Sequence, residues 1–203
     1  VFKQYWQRRA SLLVALVVIS ACASPPPVPE DQFYRLQAVY ADDPLPAPLF
    51  KGSIEVDRFV ADGLTANRAI VFSKQEDSNL VRAYHYQFWI KPPTVMLRDE
   101  LIGFLRKSKI ADAVVTPEMR VNARYVLAGK INHLERVISK KADLALIDIE
   151  LSLRDSKNGK LLALKTYRIE EPAENETVSG IVNALNVSLS VIYADFLSAL
   201  RSL

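Results

Sequence analysis

Ala145-Leu146-Ile147-Asp148-Ile149-Glu150-Leu151-Ser152-Leu153-Arg154 places Ala145, Ile147, Ile149, Leu151 and Leu153 on one parity and Asp148, Glu150, Ser152 and Arg154 on the other. Alternation at this period turns successive side chains to opposite faces of a strand, one buried and one wet. The pattern continues on both sides. Upstream, Tyr125, Leu127, Gly129 and Ile131 share one parity, while Lys130 and Asn132 share the other. Downstream, Ser156-Lys157-Asn158-Gly159 signals a hairpin turn, because Asn-Gly accepts positive φ, and Leu161 to Ile169 returns. Three such runs in succession predict an antiparallel meander with one apolar face.

Two segments have the period of helices that could cover that face. From Pro93 to Lys107, Leu97, Leu101, Phe104 and Leu105 fall on one side, flanked by Arg98, Asp99, Arg106 and Lys107. Proline suits the first turn of such a helix. From Glu176 to Leu200, Val178, Ile181, Val182, Leu185, Leu189, Ile192, Phe196 and Leu200 recur at spacings of three and four. That wide stripe packs on the sheet, or in part serves an oligomer or partner surface. Nearer the start, Gln32 to Leu36 is a short strand, and Pro44-Leu45-Pro46-Ala47-Pro48 forces an extended loop. Gly52 to Phe59 is a strand, and Ala69–Phe72 and Leu80–Ile90 are two more around the polar turn 75–79. The expected class is α/β: a mixed, largely antiparallel sheet with two main helices packed on it, the alternative being an α+β two-layer sandwich.

The first residues have a different character. Val1 to Arg9 carries Lys3, Arg8 and Arg9 and no acid, Leu12 to Ile19 is unbroken aliphatic, and Ser20-Ala21 are small. This is the order of a secretory signal peptide. The apolar run falls short of the ~20 residues that span a bilayer. It ends at Cys22, the single cysteine, and Pro25, Pro26, Pro27 and Pro29 follow. Cleavage between Ala21 and Cys22 would divide the chain into a leader (1–21), a lipidated cysteine with a proline-rich tether (22–31) and one domain (32–203). Removing the three basic residues of the leader from 26 leaves 23, against 23 acidic, so the formal charge of +3 falls to zero. A balanced domain has no global field to gather nucleic acid. With Cys22 acylated no thiol remains, which removes disulfides, thiolate catalysis and cysteine metal sites.

Catalytic chemistry is not visible in the rest. There is no Gly-x-Ser-x-Gly and no phosphate-binding loop. His85 and His133 lie in predicted strands without acids at ligand spacing, so neither metal nor cofactor is expected beyond a covalent lipid on Cys22. Asn175-Glu176-Thr177 and Asn186-Val187-Ser188 match the glycosylation pattern by chance. The unusual stretch is Tyr84-His85-Tyr86-Gln87-Phe88-Trp89. Simple alternation puts Tyr84, Tyr86 and Phe88 on one face and Trp89 on the other. These four either build a core strand or offer an aromatic surface to a partner or an acyl chain.

Ile19-Ser20-Ala21-Cys22 resembles the lipobox of bacterial lipoproteins, in which the thiol takes a diacylglycerol and the new amine is then acylated. Tyr34-Arg35-Leu36, Ala69-Ile70-Val71-Phe72, the stretch from Tyr84 to Trp89 running into Pro92-Pro93 and a helix, Tyr125-Val126-Leu127 opening a long hairpin, and a closing apolar helix follow in an order that resembles the ABC-type transport auxiliary lipoproteins, typified by paraquat-inducible protein C. The resemblance implies a fold like the N-terminal domain of TolB and no enzymatic site. It implies partnership with an ABC permease and ATPase whose periplasmic subunit carries an MCE (mammalian cell entry) domain, in a system moving lipids or other apolar molecules. Ala23, where sorted lipoproteins of the inner membrane often have Asp, implies the outer membrane facing the periplasm. A homo-oligomer is compatible with this reading. The other readings are a lipid-binding periplasmic carrier and an envelope assembly lipoprotein unrelated to ABC transport.

Overall fold

A computed structural model describes residues 28–40 and 43–203. Ala21, Cys22 and the tether as far as Pro27 lie outside the described residues. In chain order the elements are β1 (Gln32–Tyr34), β2 (Phe50–Val56), β3 (Val60–Ala61), β4 (Ala69–Lys74), β5 (Asp77–Trp89), α1 (Pro93–Ser108), β6 (Ala111–Val115), β7 (Tyr125–Ile138), β8 (Leu144–Asp155), β9 (Leu161–Pro172) and α2 (Val178–Arg201). All belong to one unit, Asp31–Leu203, and Val28–Glu30 belong to a separate one.

The spine of the sheet is β7. One of its edges carries the antiparallel partner β8, which carries β9 in turn. The other edge is shared along its length by β2, β3 and β4, all parallel to it. From there the sheet forks, β2 adding β6 in parallel and β4 adding β5 antiparallel, with β1 parallel to β5 at the outside. The mixed α/β sheet with two helices is therefore as expected. The three antiparallel ladders hold most of the paired residues, and the parallel ones are short. The alternating stripe of β8 is buried to the residue, with Ala145, Ile147, Ile149, Leu151 and Leu153 all at 0 % exposure. It joins one cluster with Leu97, Leu101, Phe104 and Leu105 of α1 and Ile181, Leu185, Leu189, Ile192 and Phe196 of α2. By length and composition α2 could cross a membrane, yet its apolar stripe lies in this cluster and packs on β8 and β9. Thr177 caps it, its hydroxyl accepting the Gly180 N–H at 3.1 Å.

Several local expectations shift. The β4–β5 turn is only Gln75-Glu76, and Asp77 already pairs with Lys74. Polar residues at an exposed hairpin tip satisfy a strand and a loop equally, which is why 77–79 read as turn. Strand β2 starts at Phe50 rather than Gly52, with a register shift between Phe50 and Ser53. In the β8–β9 hairpin only Gly159 takes positive φ (70°), and its N–H donates to the Asp155 carbonyl at 2.9 Å. The connection is thus longer than a two-residue Asn-Gly turn. Strand β6 was not anticipated.

Gly129 is required on β7 for a steric reason. A Cβ there would meet the Phe59 ring at 2.6–2.8 Å, and Phe59 is 5 % exposed. Gly129→Ala is expected to destabilise the domain by about 1–3 kcal/mol, the usual cost of overpacking. Urea midpoints check this. Adding Phe59→Leu should recover part of the loss, and an unchanged midpoint for Gly129→Ala would show that the ring moves freely.

Candidate functional site

Strand β5 does not keep simple alternation. Ala69 pairs with Phe88 and Val71 with Ala83, so β5 holds three more residues than β4 in that interval. The bulge turns Tyr84 and Trp89 to the same side. Trp89 is 1 % exposed inside the core cluster and contributes no surface. Its backbone N–H donates to the Arg68 carbonyl at 2.7 Å and its carbonyl accepts from Arg68 Nε at 3.0 Å. Tyr84 is half-buried, its ring 4.6 Å from that of Phe72. Phe88 and Tyr86 remain outside the cluster. Phe88 stacks on Phe33 at 5.8 Å, and the Arg68 guanidinium lies 5.4 Å above the Phe33 ring. The surface aromatics are therefore the exposed Phe33 and Tyr86 and the half-buried Phe88, with Arg68 beside them, fewer than the four residues named from sequence and centred differently. Phe33 was legible only through the register that sets β1 against β5.

Behind that strand lies an ionic clasp. Arg136 Nε donates to Asp143 Oδ2 at 2.8 Å and Nη2 donates to the same carboxylate. Nη1 donates to the Tyr84 hydroxyl at 2.8 Å and Nη2 to the Glu176 carbonyl at 2.8 Å. Asp143 is 3 % exposed, and its second oxygen accepts the Ser139 N–H at 3.1 Å. One guanidinium thus holds β5, the β7–β8 loop and the lead into α2 together.

The alternate parity of the sheet carries a second polar group. A register shift after Ile131 puts His133 and Glu135 on the face opposite Leu134. Glu135 is 7 % exposed, paired across the ladders with Val71 and Leu146, and its Oε1 is 3.5 Å from His133 Nδ1. Burial raises its pKa above 4.5, while His133, Arg168 and Ser73 pull the other way. A carboxyl with a raised folded-state pKa stabilises the fold fully below its unfolded pKa, and this contribution is lost as pH rises through the folded one. Glu135→Gln is therefore expected to raise the denaturation midpoint at pH 8, the gain closing below about pH 4.3. Equal gains at both pH values would remove the titration from the explanation.

The segment Arg35–Tyr40 forms a strap across the two helices. Its successive N–H groups each find a helix side chain: Gln37 donates to Asn186 Oδ1 at 2.8 Å, Ala38 to Glu100 Oε2 at 2.8 Å and Val39 to Ser190 Oγ at 2.9 Å. Leu36 is buried beneath it, and the Tyr40 ring packs edge-on against Phe104 at 4.8 Å. Both sequon asparagines thus have structural partners, since Asn175 Oδ1 accepts the Thr177 N–H at 3.0 Å. His85 is exposed beside Tyr86. Among the described residues no group of three or more His, Cys, Asp or Glu side chains is placed to hold a metal ion.

A curled mixed sheet with two helices on one apolar face defines a mixed α/β domain. The structure is similar to a crystal structure from Xanthomonas campestris, with a TM-score of 0.70 at 19 % identity over 84 % of this chain and 98 % of that one. A crystal structure of an uncharacterized protein gives a TM-score of 0.65 at 13 % identity, over 84 % and 98 % of the two chains. At these identities the likeness concerns the fold. No curated protein matches the chain. The chain belongs to the family of the ABC-type transport auxiliary lipoprotein component, whose model matches residues 34–195.

Proposed function

We propose that this chain is the membrane-anchored, non-enzymatic accessory lipoprotein of an MCE-type ABC transport system that moves lipids or other apolar molecules across the bacterial envelope. The family match over 34–195 carries this reading, because it spans the domain that follows a lipobox-like Cys22 and a proline-rich lead. Cys22 takes the lipid after cleavage at Ala21, and several acyl chains on one cysteine anchor stably where a single chain binds only marginally. Ala23 directs the chain to the outer membrane, and the exposed Phe33–Phe88 patch offers a contact to the MCE subunit.

Affinity capture from detergent extracts of native membranes should recover an MCE-domain protein with its permease and ATPase, and repeated absence of all three would sink the reading. Anchoring is tested separately. Cys22→Ala is expected to abolish incorporation of labelled fatty acid and to leave the first 21 residues attached. Normal labelling of that variant would remove Cys22 from the account.

A further inference from the structure

The end of the sheet where β4 turns into β5 and β7 into β8 holds an open pocket of about 670 Å³. Its lining combines the apolar Ile138, Leu144 and Pro172 with Lys74, Lys140 and Lys141. Glu76, the one carboxylate of the lining, pairs with Lys140 at 2.5 Å. Lys74 and Lys141 have no carboxylate partner among the described residues. We infer that this pocket binds a single-chain anionic amphiphile, with a carboxylate or phosphate head on Lys74 and Lys141 and its hydrocarbon over Ile138, Leu144 and Pro172.

Three observations converge on that class. An acyl chain on Ile138, Leu144 and Pro172 withdraws apolar surface of chain and protein together from water. Lys74 and Lys141 belong to the same lining, and an anionic head gives both a charge-assisted partner where an uncharged head would give neither. The loop bearing Lys140 and Lys141 is fixed before any ligand arrives, because Asp143 at its far end accepts from both the Ser139 N–H and the Arg136 guanidinium at its near end. A pre-ordered loop avoids part of the entropy that a mobile one would lose on binding. The even balance of basic and acidic residues after Ala21 is no obstacle, since the lysines act locally and the field of the whole molecule is not needed. The inference is independent of an ABC partner and concerns a surface apart from the aromatic patch.

The test uses the full-length chain in phosphatidylcholine nanodiscs, irradiated with diazirine-bearing palmitic acid, diazirine-bearing lysophosphatidylglycerol or diazirine-bearing phosphatidylcholine, with labelled peptides mapped by mass spectrometry. Either anionic probe should label the peptides containing Ile138–Leu144 and Pro172, and the stronger of the two identifies the head. The zwitterionic probe should not. Lys74→Glu with Lys141→Glu should cut labelling about tenfold, while Lys74→Arg with Lys141→Arg retains it. Labelling that is unchanged by charge reversal, equal from the zwitterionic probe, or located elsewhere overturns the inference.

Discussion

Trp89→Ala should cost the domain about 3–5 kcal/mol, a large share of the ~5–15 kcal/mol that holds a domain of this kind together. The indole is 1 % exposed and stands in the same cluster as Leu101, Ile147 and Phe196. Truncation removes its buried area and leaves a cavity that β5 cannot close, because its backbone is fixed to Arg68 by bonds in both directions. Tyr86, one strand turn away and 39 % exposed, makes the control. Tyr86→Ala should stay within about 0.5 kcal/mol of the parent. Urea denaturation followed by far-UV circular dichroism reads both. A Trp89→Ala midpoint close to that of Tyr86→Ala would mean that the indole is not the core residue described above. The comparison also bears on function: loss of partner capture in Trp89→Ala reports unfolding, whereas loss in Phe33→Ala or Tyr86→Ala at an unchanged midpoint reports contact.

Asp143→Ala is expected to cost a similar amount, about 3–5 kcal/mol, by a different route. Here the loss is less the attraction of the pair than the state of what stays behind. The Arg136 guanidinium, 12 % exposed as a side chain, would keep the Tyr84 hydroxyl and the Glu176 carbonyl but lose its counter-charge, and the Ser139 N–H would lose its acceptor. Replacing both partners with apolar residues of similar size, as in Arg136→Met with Asp143→Leu, should recover more than half of the loss. If the double variant is no better than Asp143→Ala, the clasp contributes through its hydrogen bonds to Tyr84 and Glu176 rather than through charge. If Asp143→Ala itself costs under about 1 kcal/mol, water reaches the guanidinium and the pair behaves like a surface one.

These two residues illustrate what was legible in the sequence. The β8 stripe, both helix faces and the order of strands follow from periodicity, because burial on one face imposes a period that any reader can count. The aromatic strand defeated the count, since the bulge opposite Ala69–Val71 shifts parity without leaving a glycine or proline to mark it. Strand β6 escaped for another reason. Its register with β2 is parallel and set by the α1 crossover, so no turn sequence announces it. The Arg136–Asp143 pair spans only the β7–β8 hairpin, but its bonds to Tyr84 and Glu176, and the approach of Lys74 to Lys140 and Lys141, join residues that meet only once β4, β7 and β9 are aligned at one end of the sheet. The strap had no signature either, because its N–H groups bond to side chains of helices rather than to a neighbouring strand.

That strap gives the domain a mechanical property. The chain that leads from Cys22 enters at β1 and passes directly into Arg35–Tyr40, whose backbone is fastened to Asn186 and Ser190 on one helix and to Glu100 on the other. Tension applied through the N-terminal lead is therefore delivered to both helices at once. β1 lies parallel to β5, so a pull along the strand loads their shared hydrogen bonds together in shear instead of opening them one by one. Were the chain anchored at Cys22 as proposed, any pull would reach a segment already spliced to both helices, and the strap is that splice.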